Sequence, residues 1–117
     1  MMVGMTKSPD VHTEIAHLGF LLGHWVGSGS GHYPSIEDFD YREQVWFEHV
    51  GKPFISYRQA TRHVVTGVPL HAESGYLRPV GIDRVELVVA QPSGIVEVHD
   101  GTVDGTTVLL RRSEERR

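Results

Sequence analysis

The chain has 117 residues, 15 of them acidic and 11 basic for a formal net charge of −4, and it has no cysteine. Its one dense basic cluster, Arg111-Arg112-Ser113-Glu114-Glu115-Arg116-Arg117, is interrupted by acids and offers no continuous face to a phosphate backbone, which excludes nucleic acid as a partner; the lack of thiols excludes a disulfide framework, a thiolate metal site and thiol redox chemistry, and suits a reducing cytoplasm. No stretch approaches the roughly 20 apolar residues of a membrane span, and the N-terminus lacks the apolar run of a signal peptide, so a soluble, unexported, single-domain protein with no membrane partner is expected.

Residues 1–12 carry no periodic apolar pattern and are expected to be mobile. Over residues 13–22, Ile15, Leu18, Leu21 and Leu22 fall on one helical face, with Thr13 available as an N-cap and Gly23 as a stop. The segment predicts one short helix lidding the end of a barrel. Strands are then expected at about 25–33, 39–50, 54–65, 70–77, 84–90, 95–99 and 102–110. Glycine or proline punctuates each gap, at Gly51-Lys52-Pro53, Thr66-Gly67-Val68-Pro69, Pro79-Val80-Gly81-Ile82-Asp83, Gln91-Pro92-Ser93-Gly94 and Asp100-Gly101. Such punctuation predicts an all-β, antiparallel up-and-down meander rather than a helical bundle.

Alternation on the second strand sorts its faces. Tyr41, Val45, Phe47 and His49 share the interior side with Glu43, while Asp40, Arg42, Gln44 and Glu48 share the outer side with Trp46. A carboxylate on an inner face needs a partner, and Arg58 or Arg78 is expected to supply it. The barrel domain is assigned to residues 13–110 and a solvated, charged tail to 111–117. Seven strands without a closing pair leave two open edges, so the sheet should close a smaller barrel, pair with another chain, or be poorly stable.

The stretch Gly23-His24-Trp25-Val26-Gly27-Ser28-Gly29 is followed by Tyr33-Pro34-Ser35-Ile36. Glycines at the strand period of two leave one face bare, where a backbone can coil sharply or a bulky group can lie, and Trp25 is expected to plug one end. Together with Glu43, His49-Val50-Gly51-Lys52-Pro53, Leu70-His71-Ala72-Glu73-Ser74-Gly75-Tyr76-Leu77-Arg78-Pro79 and the run from Val89 to Val98, this segment resembles the nitrobindin family. That family is marked by Gly-x-Trp-x-Gly-x-Gly and a following Tyr-Pro-Thr-Ile, with Ser35 here at the threonine position.

The resemblance implies a ten-stranded β-barrel related in form to the lipocalin and fatty-acid-binding barrels, haem b as cofactor, and a ferric iron that isomerises peroxynitrite to nitrate. It also implies that Ser35 and His71 face the haem pocket, while Gly23, Trp25, Gly27 and Gly29 are architectural. Family members run on for several more strands and carry the haem-ligating histidine near their C-terminus, whereas this sequence ends at Arg117 without it. The expectation is therefore an incomplete barrel with haem binding and isomerisation lost or reduced, with no catalytic residue assigned and no metal ligand among its own residues. Two alternatives stand beside it: a peroxynitrite isomerase using His71 as substitute ligand, and a carrier of small apolar, fatty-acid-like molecules. A second copy of the chain is a further expected partner, covering the open edge.

Other chemistry has weaker support. His12, His17, His24, His32 and His63 fit ordinary surface or semi-buried positions, and His99 is a lesser candidate for the pocket. His71-x-Glu73 and Glu97-x-His99 each place a pair on one strand face, with no third ligand at a zinc-like spacing. Neither a nucleophile elbow nor a dinucleotide loop is present, because the serines and glycines concerned do not lead from a strand into a helix.

Overall fold

A computed structural model describes residues 8–31 and 38–116. A helix at Thr13–Leu21 leads into β1 (Gly23–Gly31), β2 (Phe39–Glu48), β3 (Ile55–His63), β4 (Pro69–Pro79), β5 (Arg84–Ala90), β6 (Val96–Asp104) and β7 (Thr107–Arg116). Each strand pairs antiparallel with its sequence neighbours in the order β1 to β7. The meander is thus as the sequence predicts, and so are its reversals up to β6.

The helix is 3-10 rather than α, and its N-cap is His12, whose Nδ1 accepts a hydrogen bond from the Glu14 N–H at 3.1 Å, in place of Thr13. Its buried residues are Ile15 and Leu18, three apart, the spacing that a three-residue turn aligns on one side. Across the register, Trp25, Val45, Gln59 and Glu73 follow one another on one face, as do Phe47, Tyr57 and Gly75. That inner face carries the core: Ile55, Leu77, Val85, Leu87 and Val89 are buried with Ile15 and Leu18 of the helix. The helix therefore seals one end of the inner face, and the opposite end is left for polar residues.

Two expectations about the C-terminal hairpin are corrected. Asp100-Gly101 is not a turn but part of β6, and the chain reverses at Gly105-Thr106, where Gly105 has φ +58°. Gly101 is needed for closeness, since a Cβ there would lie 2.7 Å from the Leu109 carbonyl oxygen and 2.9 Å from Val85. Beyond Leu110 the charged residues continue as β7 to Arg116, their backbone paired with β6 and their side chains in solvent. Charged side chains are what an edge strand tolerates, so the Arg/Glu composition that reads as a tail also suits an edge.

The sheet is open among the described residues, because β1 and β7 each have one neighbour. Its radius of gyration is 16.8 Å, against about 13 Å for a compact chain of about a hundred residues. Inner-face residues at both edges show the consequence. Trp25 on β1 is 52% exposed and Leu110 on β7 is 44% exposed, so Trp25 does not plug the barrel; it is fastened to the helix by its Nε1–H, which donates to the Leu21 carbonyl at 2.7 Å. No described helix is long and apolar enough to cross a membrane.

Candidate functional site

Away from the helix, the inner face changes from aliphatic to polar. Tyr41, Glu43, Gln59, Thr61 and His71 line a concavity of about 430 Å³ there, together with Ser30, Gly31, Phe39 and Leu70. The strands place these groups by register, with Gly27 opposite Glu43, Glu43 opposite Thr61, and Thr61 opposite His71.

His71 is set by an irregularity of β4. Thr61 pairs with His71 but Arg62 pairs with Pro69, leaving Leu70 as an extra residue. A bulge of this kind re-aims the side chains beside it. The Thr61 hydroxyl reaches the His71 carbonyl at 3.5 Å. His71 Nε2 lies 2.8 Å from Glu73 Oε1, and the Tyr57 hydroxyl donates to Glu73 Oε2 at 2.8 Å. Glu73 thus has one oxygen on each neighbour. Burial holds the Tyr57 phenol far above its usual pKa, reinforced by the hydrogen bond and charge of Glu73 and by the charge of Glu43. It therefore remains an O–H donor at any physiological pH.

A second inner-face cluster lies on β6 and β7. His99 Nε2 is 2.9 Å from Glu97 Oε2, while Gln91 donates to Glu97 Oε1 at 2.8 Å and Arg112 stands 3.9 Å from the same oxygen. This site also adjoins a bulge, between Val98 and His99. No group of three or more metal-ligating side chains occurs among the described residues.

The predicted arginine partners of Glu43 are not its partners. Arg58 lies over the Trp46 ring at 4.2 Å and Arg78 pairs with Glu86 at 3.0 Å. Side-chain alternation explains the difference, since the even-numbered Arg58 and Arg78 share strands with the inward Gln59 and Leu77 and point to the other face. Glu43 instead accepts a hydrogen bond from Gln59 Nε2 at 3.4 Å. Tyr57 and Gln59 are the site residues that the sequence reading missed; their inward period on β3 was visible, but their pairing with Glu73 and Glu43 depends on register.

The glycine motif is divided in its role. Gly23 starts β1 with φ +135°. Gly29 lies beneath Tyr41, whose ring would be 2.5 Å from a Cβ there, whereas a Cβ on Gly27 would meet nothing within 4 Å among the described residues. One part of the bare strip is therefore filled by the protein's own aromatic ring and another stays open. Ser35 lies outside the described residues, as does His32. His24 stacks on Trp46 at 4.8 Å and bonds Gln44 on the outer face, and His63 Nδ1 accepts the N–H groups of Val65 and Thr66 in a turn.

An open antiparallel meander with a helix at one end, an aliphatic floor and a polar, imidazole-bearing opposite end is the frame of a ligand-binding β-barrel. Residues 14–115 match the family model of the THAP4-like, heme-binding beta-barrel domain, and the chain belongs to that nitrobindin family. It is 53% identical over 106 residues to peroxynitrite isomerase 2 of Mycobacterium avium, covering 89% of this chain and 66% of that protein. It is 48% identical over 107 residues to the peroxynitrite isomerase Rv2717c of Arabidopsis thaliana, covering 90% and 64%. The crystal structure of Rv2717c from M. tuberculosis superposes with a TM-score of 0.76 at 50% identity, over 86% of this chain and 64% of that one. The chain thus spans just under two thirds of the length of these relatives.

Haem is the group this family implies, and the inner face suits it as a wall. Tyr41, Val45 and Phe47 offer aromatic and aliphatic surface, and among the described residues the Gly27 backbone is bare and Gln59 Oε1 is buried without a partner. Axial ligation is fitted less well, because Nε2 of both His71 and His99 is engaged by a carboxylate. Nδ1 is flanked by its own Cβ and brings a bound metal close to the backbone.

Proposed function

We propose that this chain supplies one wall of a haem pocket of the peroxynitrite isomerase type, with His71 as a pocket residue that hydrogen-bonds rather than ligates. On this reading ferric haem binding by the chain as it stands is weak, and isomerisation of peroxynitrite to nitrate is lost or much reduced. The observation that carries the proposal is the 2.8 Å contact between His71 Nε2 and Glu73 Oε1. A metal-bound histidine ordinarily gives one nitrogen to the metal and the other to a hydrogen-bonding acceptor. Here the sterically open nitrogen is the one committed to the carboxylate.

When bound, haem would supply the Lewis-acidic iron for the rearrangement. The protein's contribution is to bind and orient. Val45, Phe47 and Tyr41 would exclude water from the porphyrin, and the bare Gly27 backbone would allow close approach. Ser35 is assigned to the same pocket as a hydroxyl contact. A second copy pairing along a free edge strand would further cover the inner face.

The test follows peroxynitrite decay by stopped-flow absorbance with hemin added to the chain. Decay no faster than with hemin and an equal mass of a protein that does not ligate haem supports the proposal. A large acceleration that disappears in His71→Ala would favour the substitute-ligand reading in its place.

A further inference from the structure

Glu73 holds two partners, one on the neighbouring strand and one on its own. Tyr57 on β3 donates to Oε2, and His71 on β4 contacts Oε1, each at 2.8 Å. A phenol that remains protonated has a hydrogen to give, and an ionised carboxylate has none. For Glu73 to accept at both oxygens, His71 must carry its proton on Nε2. Its Nδ1 has no hydrogen-bond partner among the described residues.

We infer that Tyr57 and Glu73 form a positioning relay that holds His71 as the Nε2–H tautomer, withholding Nε2 from iron and leaving Nδ1 as the nitrogen offered to a ligand in the pocket. The functional half of this inference rests on the haem-pocket reading above; the tautomer itself does not. Neutral His71 would present an acceptor to the pocket, suited to a bound water or to the O–H of a protonated oxyacid. Neither Tyr57 nor Glu73 need touch the ligand, so both are positioning residues. The β4 bulge at Leu70 and the Thr61 contact to the His71 backbone hold the ring's base in place.

The relay makes an unusual demand on one isosteric variant. Glu73→Gln keeps one carbonyl oxygen and gains an NH2 group. If the Tyr57 hydroxyl keeps that oxygen, the NH2 faces His71 Nε2, which must then accept, and the ring's proton moves to Nδ1. Removing the phenol's claim by Tyr57→Phe in the same background frees the amide to turn its oxygen toward His71, and Nε2–H returns.

The experiment is long-range proton–nitrogen correlation of the imidazoles in the full chain without haem at neutral pH, with His71→Asn used for assignment. Expected are a pyrrole-like Nε2 and pyridine-like Nδ1 for His71 in the wild type, an exchange of the two in Glu73→Gln, and restoration in the double variant. Backbone amide spectra confirm that each variant is folded. A pyridine-like Nε2 in the wild type overturns the relay outright, without recourse to any variant, and identical tautomers in all three proteins overturn the role of Tyr57 and Glu73. Because no hemin is present, a chain that failed to bind haem would still report its tautomer, and the two readings fail separately.

Discussion

Leu77→Ala tests whether the small core between helix and sheet is what holds this open structure together. Leu77 is 2% exposed on the inner face, paired across β3 to Ile55 at 0% and across β5 to Leu87 at 6%. Ile15 and Leu18 of the helix belong to the same buried cluster. Burial of a leucine side chain contributes about 1.5–3 kcal/mol, and truncation to alanine adds a cavity term, for a total cost of about 2–5 kcal/mol. A domain with a typical stability of about 5–15 kcal/mol loses a large fraction of it. Leu109→Ala is the control, since Leu109 is 67% exposed and should move stability by no more than about 0.5 kcal/mol. Urea unfolding followed by tryptophan fluorescence reads both, because Trp25 is bonded to the helix end. With a slope of about 1–3 kcal/mol per molar urea, Leu77→Ala should lower the midpoint by about 0.7–5 M at unchanged slope. Equal midpoints for the two variants would refute the assignment of the core to this face.

Two further perturbations follow from single contacts. Gly101→Ala should destabilise the β6–β7 hairpin, because the new methyl would meet the Leu109 carbonyl and Leu110 at 2.7 Å; loss of amide-exchange protection over β6 and β7 checks this, and unchanged protection contradicts it. The raised Tyr57 pKa carries a pH dependence of definite sign. Above about pH 10 the unfolded tyrosine loses its proton while the folded one keeps it, so this part of the stability is present below about pH 10 and falls as pH rises beyond it. Urea midpoints measured across that range should decline more steeply in the wild type than in Tyr57→Phe, and parallel declines would count against the buried, carboxylate-bound phenol.

Much of the fold was legible because strand period and turn chemistry are local properties. Glycine and proline marked most of the reversals, and Tyr41, Val45 and Phe47 read correctly as one face. Gly101 misled because a glycine required by a close carbonyl has the same appearance in sequence as one required by a turn. Residues 111–116 misled because charge on an edge strand looks like charge on a tail. At the site, His71 and Glu73 were legible as same-face neighbours two residues apart. Tyr57 was not, since its partnership depends on how β3 registers against β4, which includes the bulge at Leu70. The arginines chosen for Glu43 failed on parity, a test that the alternation on β3 and β4 already allowed.

The most direct measurement of the central claim is a hemin titration of the chain and of His71→Ala, followed through the Soret band. A wall that hydrogen-bonds but does not ligate predicts weak binding with a broad band, the same in both proteins. A sharp Soret band in the wild type that His71→Ala abolishes would contradict it, making His71 an iron ligand.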